Sequence, residues 1–422
     1  MKNWKRTRLG EHIKIRHGFA FQGEYFSNRG KYIVLTPGNF IDAGGFKPKS
    51  GVEKFYSVTP PSEYVLRRGD LVVAMTEQVE GLLGSSALVP VDDTYLHNQR
   101  IGLVVMQSDQ VDRGFLYYLF NTTKVRDQIQ ATATGSKVRH TAPSRIEDVV
   151  VDLPPISIQR KIAAVLSAYD DVIENNNRRI KLLEEMTQRI YREWFVDFRY
   201  PGHETVALVE SDLGEIPKGW ITKRVSDRFD VFLGGTPSRK NPSFWTDGAV
   251  PWINSGQINR LRVIKASEMI TRDALSSSST KLMPRGTTLL AITGATLGQV
   301  SLLEIEACAN QSVVGICDAS GDLSEYLFLA ISNSIESIIG AASGGAQQHI
   351  NQQDVKDIRV LLPDEAVGKL FQSLVQPPFS LLANLLFANQ FLEGSRDLLL
   401  PRLMLDQIDV SDLTISMPEP AA

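Results

Sequence analysis

Two glycine-containing loops carry side chains whose types suit recognition of a nucleic-acid base. The first loop follows Gly135 and supplies Lys137, Arg139, His140 and Arg145. The second follows Gly344-Gly345 and supplies Gln347, Gln348 and His349. Arg and Lys can bond to O6 and N7 of guanine, whereas Gln suits N6 and N7 of adenine. The loops therefore predict two base-reading surfaces of different preference, with an ordinary polar surface loop as the alternative.

The distribution of charge supports a polyanionic ligand, although the net charge is −3. Residues 1–60 hold eleven Lys and Arg against four Asp and Glu, and residues 221–265 hold eight against three. Because phosphates respond to local potential, both stretches are compatible with binding to duplex nucleic acid. Ordinary solvated faces are the alternative. Further candidate contacts in these stretches are Arg16, His17, Thr236, Ser238 and Arg239.

The sequence contains no catalytic motif that we can identify. A Gly-x-x-x-x-Gly-Lys-Ser/Thr loop is absent, which argues against a nucleotide-driven motor. Gln376-Pro377-Pro378-Phe379 is similar to the Asn/Asp-Pro-Pro-Tyr/Phe loop of amino-methyltransferases, but Gln stands first and no glycine-rich site for a methyl donor precedes it. The histidines form no His-x-x-x-His pair, and the cysteines have no metal-ligand partners at useful spacing. We therefore expect a non-catalytic chain without a metal, in which Cys308 and Cys317 are buried thiols.

The elements that position these loops occur twice along the chain. Residues 68–76 return in similar form as 285–293, and residues 98–104 return as 310–316. Leu153-Pro154 returns as Leu362-Pro363 before a second helical stretch. The offset drifts by a few residues between elements, as loop insertions in a diverged duplication would produce. The order is therefore domain, helix, domain, helix.

Each globular half is predicted to be mixed, with strands dominating. Short apolar runs after Gly, Asn or Asp turns predict strands over residues 71–76, 101–106, 289–293 and 313–317. Amphipathic stretches over 115–129 and 323–339 predict one helix in each half.

The clearest structural prediction is a long helix over residues 158–195. Its apolar seam alternates spacings of four and three over more than four heptads, which is typical of a coiled coil. Asn176 lies in this seam and should set the register, because a buried amide must face another polar group. The seam consists of Ile162, Leu166, Tyr169, Ile173, Asn176, Ile180, Leu183, Thr187, Ile190 and Trp194.

The second helix is less regular. Pro377-Pro378 should kink or break its first part, and Asn384 and Asn389 lie near its seam. Its natural partner is the first helix, packed antiparallel with one domain at each end. The seam is predicted from Leu374, Leu381, Leu385, Ala388, Leu392 and Leu399.

These observations bound the class of protein. We predict an α+β fold, with globular domains at 1–153 and 201–362, helices at 154–200 and 363–410, and a tail at 411–422. No stretch approaches the ~20 uninterrupted apolar residues of a membrane span. The basic start has no apolar segment behind it, so we expect a cytoplasmic protein without a secretory signal or membrane contact.

Taken together, the sequence resembles the specificity (S) subunit of Type I restriction-modification systems. The first helix carries Leu153-Pro154-Pro155-Ile156, then Gln159-Arg160-Lys161-Ile162, and closes with Trp194-Phe195-Val196-Asp197-Phe198. The second carries Arg396-Asp397-Leu398-Leu399-Leu400-Pro401-Arg402-Leu403. Gly219-Trp220 and Gly234-Gly235-Thr236-Pro237-Ser238 open the second domain in the manner of the family. The similarity extends over essentially the whole chain.

The resemblance implies two target recognition domains, each reading half of a bipartite site in double-stranded DNA. The helices would set the length of an unread spacer and dock two modification (methyltransferase) subunits, which restriction (motor-nuclease) subunits then join. S-adenosylmethionine, ATP and Mg²⁺ would belong to those partners, leaving no cofactor in this chain. The alternative is a two-domain coiled-coil scaffold that binds protein and not DNA.

Overall fold

The computed structural model describes residues 4–49, 51–78, 80–341 and 350–414. By the contacts among its residues, the chain divides into two units. Unit 1 consists of Met1–Ile173 with Leu392–Ala422, and unit 2 consists of Glu174–Phe391. Each long helix therefore contributes one part of its length to each unit.

Among its described residues, unit 1 has twelve short strands and three α-helices before its first long helix. The strands are β1 (Lys5–Arg8), β2 (Ile13–His17), β3 (Phe26–Ser27), β4 (Tyr32–Val34), β5 (Phe55–Tyr56), β6 (Leu71–Ala74), β7 (Thr76–Glu77), β8 (Ser86–Leu88), β9 (Tyr95–Leu96), β10 (Ile101–Met106), β11 (Arg139–His140) and β12 (Val150–Leu153). The helices are α1 (Arg113–Phe120), α2 (Thr123–Ala131) and α3 (Pro143–Glu147), followed by the long α4 (Ile156–Phe195).

The central sheet of unit 1 is antiparallel, in the order β2-β10-β6-β8. Successive side chains of β6 point to opposite faces, and both faces are covered. Leu71 and Val73 pack in a core with Phe115 of α1, whereas Val72 and Ala74 pack in a second core with Leu35. This explains why β6 is a continuous apolar run and does not alternate.

Unit 2 repeats this arrangement. Its strands are β13 (Leu208–Ser211), β14 (Gly214–Pro217), β15 (Ile221–Arg224), β16 (Asp230–Leu233), β17 (Val250–Ile253), β18 (Arg262–Val263), β19 (Glu268–Ile270), β20 (Thr288–Ala291), β21 (Val300–Leu303), β22 (Cys308–Ala309), β23 (Val313–Cys317) and β24 (Arg359–Leu362). The helices are α5 (Arg272–Ser276), α6 (Ser324–Ala341), α7 (Gln352–Asp357) and the long α8 (Glu365–Met404). Its main sheet has the order β16-β23-β20-β21-β18.

The internal repeat is confirmed by strand order. β16-β23-β20-β21 matches β2-β10-β6-β8, and β15 pairs with β24 as β1 pairs with β12. A second, smaller sheet in each unit contains a parallel pair, β4 with β9 and β17 with β22. The predicted α+β class with two strand-rich domains and long helices is therefore confirmed.

One predicted helix is divided in the structure. Residues 115–129 form parts of α1 and α2, which are separated at Asn121. The Asn121 side chain donates to the Tyr117 carbonyl at 2.9 Å and accepts from the Ser86 amide at 3.1 Å. The side chain thus takes a carbonyl that the next helical turn would use, and it ties the break to the sheet.

The predicted seam of α4 is turned toward the interior. Ile162, Leu166, Ile173, Asn176 and Ile180 are buried, as are Thr187 and Trp194. Tyr169, Leu183 and Ile190 are half-buried.

The buried face of α8 differs from the predicted one. Leu381 is 38% exposed and Leu374 is 45% exposed, whereas Phe371, Val375, Phe379 and Leu382 are buried. The aromatic and β-branched side chains bury the early part of the helix, and the leucines in between face outward. Leu385 is buried, and Leu392 and Leu399 are half-buried.

The prediction that Pro377-Pro378 could break this helix was wrong, because α8 is continuous. Two prolines leave the carbonyls of residues 373 and 374 without their intrahelical donors. Both residues are exposed, so water can satisfy these carbonyls.

The two long helices pair antiparallel within each unit. In unit 1, Arg396 of α8 donates to Asp170 of α4 at 2.6 Å. In unit 2, Asn176 donates to Asn389 at 2.8 Å, and Ile180 packs with Leu382 and Leu385. Residue numbers rise along one helix as they fall along the other.

In the part of the chain that the structure describes, α8 alone is long and apolar enough to cross a membrane by length and composition. The core helix of a soluble protein can pass the same test, and α8 buries Phe371, Val375 and Leu382.

The amide pair should determine helix register more than it adds stability. Asn176 and Asn389 are each 6% exposed, and Asn389 also donates to Asn177 at 2.9 Å. We expect Asn176→Ala to lower the free energy of unfolding by about 1–3 kcal/mol, because it leaves a buried amide half satisfied. Leucine at both 176 and 389 should recover most of this loss, since no buried polar group then remains.

Urea unfolding followed by circular dichroism measures these differences. Asn175→Ala, at an exposed neighbouring position, is the matched control and should change stability by less than about 0.5 kcal/mol. Equal losses in Asn176→Ala and Asn175→Ala would contradict the role of the amide pair.

Candidate nucleic-acid interface

One edge of the unit 1 sheet gathers polar segments from four parts of the chain. β2 ends at His17 opposite Gly102, and β6 ends at Ala74 opposite Ile101. The Met75 amide then donates to the Arg100 carbonyl at 3.0 Å, and the Thr141 amide donates to the Met75 carbonyl at 2.9 Å. Residues 17–19, 75–76, 98–100 and 139–141 thus lie together, and we call them the loop edge of unit 1.

A glycine contact fixes this edge. A Cβ on Gly18 would overlap the Asn98 carbonyl oxygen, so only glycine allows the two segments to approach so closely. Phe19 donates to the His97 carbonyl at 2.9 Å, and Gln99 donates to the Phe19 carbonyl at 3.0 Å. The backbone of residues 98–100 is therefore held from both sides, while the side chains of Gln99 and Arg100 are exposed.

Arg139, a predicted base-reading residue, is engaged inside the protein. Its guanidinium donates to Glu77 at 3.1 Å and to the Gln130 carbonyl at 2.9 Å. Glu77 is 2% exposed and also accepts from the amides of Gly81 and Leu83. Removing Arg139 would leave a buried carboxylate without its counter-charge, so the residue is better explained as a support for the edge.

The other predicted residues of unit 1 differ in how far their side chains are exposed and hydrogen-bonded within the protein. His140 and the Thr134 hydroxyl lie 3.0 Å apart, and Arg145 donates to the Thr132 carbonyl at 2.5 Å. Arg16 donates to the Glu63 carbonyl at 2.9 Å and keeps an exposed side chain. Lys137 and His17 are exposed. The structure brings His17 and His140 to the loop edge, with Arg145 bonded to the segment that follows α2.

Unit 2 builds the same edge from the equivalent segments. A Cβ on Gly234 would overlap the Asn310 carbonyl. Ile292 takes the place of Met75, accepting from the Ile350 amide at 3.0 Å and donating to the Ser312 carbonyl at 2.9 Å. The loop edge of unit 2 comprises residues 234–236, 292–293, 310–312 and 350.

Thr236, a predicted contact, lies on this edge and orients a neighbour. Its hydroxyl donates to Oε1 of Gln311 at 2.5 Å. This bond leaves the amide NH₂ group of the exposed Gln311 side chain free to donate to a ligand.

Ser238 and Arg239 form a support beside the edge. Arg239 donates to both oxygens of Glu268, at 2.5 and 2.7 Å, and lies 3.5 Å from the centre of the Trp245 ring. Trp245 in turn donates to the Ser238 carbonyl at 3.3 Å. The hydrogen bond from Arg239 lowers the pKa of Glu268. The remaining predicted contacts, Gln347, Gln348 and His349, lie outside the described residues.

His97 lies beneath the unit 1 loop edge and is fully buried. Its Nε2 is 2.9 Å from the Ile101 carbonyl, which can only accept, so the ring carries its proton on Nε2. Desolvation lowers the pKa of His97 to about 4. The ring is therefore neutral and structural at neutral pH.

Within residues 4–49, 51–78, 80–341 and 350–414, no group of three His, Cys, Asp or Glu side chains could hold a metal ion. Cys308 and Cys317 are free and buried, and burial raises the pKa of both thiols. The polar side chains that the loop edges expose include Gln99 and Arg100 in unit 1 and Gln311 in unit 2.

A family model described as the Type I restriction modification DNA specificity domain matches residues 1–185 and 217–371. The chain belongs to the Type I restriction-modification specificity family. The two matched stretches each include one copy of the repeat, so the family assignment and the internal duplication agree.

Members of the specificity family from an archaeon and a bacterium align over most of the chain. The Type I restriction enzyme MjaIX specificity subunit of Methanocaldococcus jannaschii is 26% identical over 314 residues, covering 73% of this chain and 72% of that protein. The HindI specificity subunit of Haemophilus influenzae is 23% identical over 480 aligned positions, covering 97% and 100%. A crystal structure of a Type I S subunit from M. genitalium has a TM-score of 0.62 at 14% identity, covering 95% of this chain and 96% of that one. The last comparison shows a shared fold.

Sequence reasoning missed three exposed side chains of the edges. Gln99 and Arg100 in unit 1, and Gln311 in unit 2, were noted only as part of the repeat. Their signal was the Asn-Gln pair that recurs one residue before β10 and β23, because a repeated polar pair ahead of a strand marks a shared turn.

Burial of His97 predicts a loss of stability in mild acid. Its pKa of about 4 in the folded chain lies below the ordinary 6.5, so the unfolded chain takes up a proton between these values and the folded chain does not. The stabilisation is fully present above pH 6.5 and falls as the pH decreases toward 4, by about 3 kcal/mol.

His97→Gln keeps a donor for the Ile101 carbonyl and cannot titrate. We expect a correspondingly shallower decline of unfolding free energy between pH 6.5 and 4, measured by urea unfolding at a series of pH values. His17→Gln, at an exposed histidine, should keep the wild-type profile. An unchanged slope in His97→Gln would show that other groups control the acid response.

Proposed function

We propose that this chain is the non-catalytic DNA-reading subunit of a Type I restriction-modification complex. The observation that carries the proposal is the pair of loop edges, which share a backbone and differ in side chains. Arg100 in unit 1 corresponds to Ser312 in unit 2, and Gly235 and Thr236 take the places of Phe19 and Ala20. A shared backbone that carries different exposed polar side chains fits two half-sites of different sequence in a bipartite target.

The chemistry of the exposed side chains on the loop edges supports recognition of bases in the major groove. Arg100 forms no side-chain hydrogen bond or ion pair among the described residues, and its guanidinium can address O6 and N7 of guanine. Gln311 presents an amide that suits N6 and N7 of adenine. Lys137 and the predicted residues Gln347, Gln348 and His349 remain further candidates for the two edges.

Docking of two modification subunits is the second part of the proposal. In unit 1 the long helices expose Val172 and Leu398, and in unit 2 they expose Leu182, Met186 and Phe391. Contiguous exposed apolar side chains mark sites of protein–protein contact, and we propose that these side chains contribute to such sites. A duplicated chain offers two similar surfaces, which fits two identical partners. In this proposal methyl transfer, ATP hydrolysis and cleavage, with S-adenosylmethionine, ATP and Mg²⁺, belong to the partner subunits.

Substitutions on the loop edge of one unit should lower the affinity for one half-site only. We expect Gln99→Ala with Arg100→Ala to weaken binding to one half-site about 5- to 150-fold, the equivalent of 1–3 kcal/mol for a lost base contact. Gln311→Ala should act on the other half. Footprinting of the chain with its modification partner, on duplexes altered in one half at a time, measures both effects.

Arg67→Ala is the charge-matched control, because Arg67 is exposed and precedes β6 at the opposite end of the sheet. The target duplex is taken from sites found to carry modified adenine in cells that express the chain with its partners. Equal loss at both halves after Gln311→Ala would refute the assignment of one edge to each half-site. If binding of the chain and its partner to the duplex does not weaken with salt, the alternative of a scaffold that binds protein and not DNA is favoured.

We also propose that the helix pair sets the unread gap. One heptad inserted after Ile180 in α4, with a matching heptad after Leu385 in α8, adds about 10.5 Å of helix. The optimal gap should lengthen by about three base pairs. Affinity should be lower, since three base pairs also rotate the second half-site by about 100°.

A series of duplexes with gaps altered by single base pairs measures the optimum. A heptad inserted into α4 alone is the control, because it puts α4 out of register with α8 on one side of the insertion and gives no coherent change in the length of the pair. An unchanged optimal gap in a folded, DNA-binding double insertion would refute this role of the helices.

A further inference from the structure

A repeated turn lies beside each loop edge. In unit 1 it follows β4 and comprises residues 36–40; in unit 2 it follows β17 and comprises residues 254–258. β4 runs parallel to β9, and β17 runs parallel to β22, so the carboxyl ends of each pair reach the same edge. The Asn310 amide donates to the Ile253 carbonyl at 3.0 Å, which joins the turn of unit 2 directly to its loop edge.

Each turn holds a lysine by the same backbone contact. Asn39 is 2% exposed, and its side-chain amide donates to the backbone carbonyl of Lys47 at 3.3 Å. The backbone amide of Lys47 in turn donates to the backbone carbonyl of Asn39 at 2.7 Å. In unit 2, Gln257 donates to the Lys265 carbonyl at 3.4 Å. In both units the lysine stands eight residues after the amide side chain, and it is exposed.

Unit 1 adds a second lysine with an unusual environment. Lys49 donates to the Thr36 hydroxyl at 3.0 Å, and its ammonium lies so close to Gly38 that a Cβ there would overlap it. Burial lowers the pKa of Lys49, and the nearby cations Lys54 and Lys47 lower it further. No carboxylate pairs with Lys49 in the part of the chain that the structure describes. A half-buried cation among cations lacks a counter-charge.

The corresponding place in unit 2 is a small concave site. The residues that line a cavity of 200 Å³ include Gly256, Gln257, Arg260 and Lys265, together with the buried Arg262. Arg262 is neutralised by a buried ion pair with Glu304. Arg260 and Lys265 are exposed and form no side-chain hydrogen bond or ion pair among the described residues. No carboxylate lines the cavity.

We propose that each turn binds one phosphate of the DNA backbone, through Lys47 and Lys49 in unit 1 and through Lys265 and Arg260 in unit 2. The proposal rests on the proposed function, because it places these phosphates next to the base-reading edges. Lysine is a compact point charge that suits a phosphate oxygen, and such contacts position a protein on a duplex without reading its sequence.

The same residue type in both turns agrees with this ligand. A backbone phosphate is identical at every half-site, whereas the bases differ. The turns keep a lysine at equivalent places, while Arg100 and Ser312 differ on the edges beside them.

The test is the salt dependence of duplex binding by the full chain with its modification partner. Lys47→Gln with Lys49→Gln removes the unit 1 site, and Lys265→Gln with Arg260→Gln removes the unit 2 site. We expect each pair to reduce the slope of log K against log [salt] by about 0.9, the value for one released phosphate contact. Affinity should fall by the same factor for the target duplex and for a duplex of unrelated sequence.

Lys218→Gln removes an exposed lysine outside both turns and is the matched control. Lys47→Arg with Lys49→Arg, which keeps the charge, should restore the slope. Slopes equal to that of Lys218→Gln would overturn the proposal, as would a loss confined to the target duplex, which indicates base reading. Wild-type chain that binds no duplex would instead refute the proposed function itself.

A second measurement separates a DNA phosphate from free phosphate. Thermal midpoints are compared in inorganic phosphate and in chloride at equal ionic strength, without DNA. One outcome is that inorganic phosphate stabilises the wild-type chain but not the Lys47→Gln, Lys49→Gln variant, while the salt slope of duplex binding stays unchanged. This pair of results would assign the turn to a free anion and overturn the DNA assignment.

Discussion

The structure depends on a close backbone contact that occurs once in each unit. Gly18 lies against the Asn98 carbonyl and Gly234 lies against the Asn310 carbonyl, at distances that exclude any side chain. This contact joins the end of one strand to the turn before another and leaves the following side chains exposed. The loop edges are built around that junction, the lysine-bearing turns lie beside them, and the Thr236 hydroxyl orients Gln311 on the unit 2 edge.

Much of the fold could be predicted from the sequence, because its signals are local. The duplication shows as repeated turns and strands, and the α4 seam shows as a heptad pattern that buries Ile162, Leu166 and Ile180. The α8 seam could not be read in the same way. Its helix is apolar on several faces, and the choice of Leu382 over Leu381 is made by packing against Ile180, which is distant in sequence.

The candidate site was less predictable, since charge alone does not show what a cation faces. Arg139 and Arg239 look like free base-reading residues in the sequence, yet Glu77 and Glu268, 62 and 29 residues away, engage them. Arg100 looks unremarkable in the sequence, but the structure leaves its guanidinium exposed beside a rigid turn. Pairing across the fold decides which cations are available, and composition cannot supply it.

Under the proposed function, the two units divide recognition between constant and variable contacts. A phosphate has the same charge and shape wherever it occurs, so its contacts gain nothing from divergence, and lysine stands at equivalent places in both turns. Bases differ, so the edges that read them must be free to change. The glycine junction allows this change without cost to the fold, because it involves only main-chain atoms on the Asn98 and Asn310 side. Under the same proposal, substitutions at residues 99, 100, 311 and 312 change which bases are bound and leave the backbone of each edge in place.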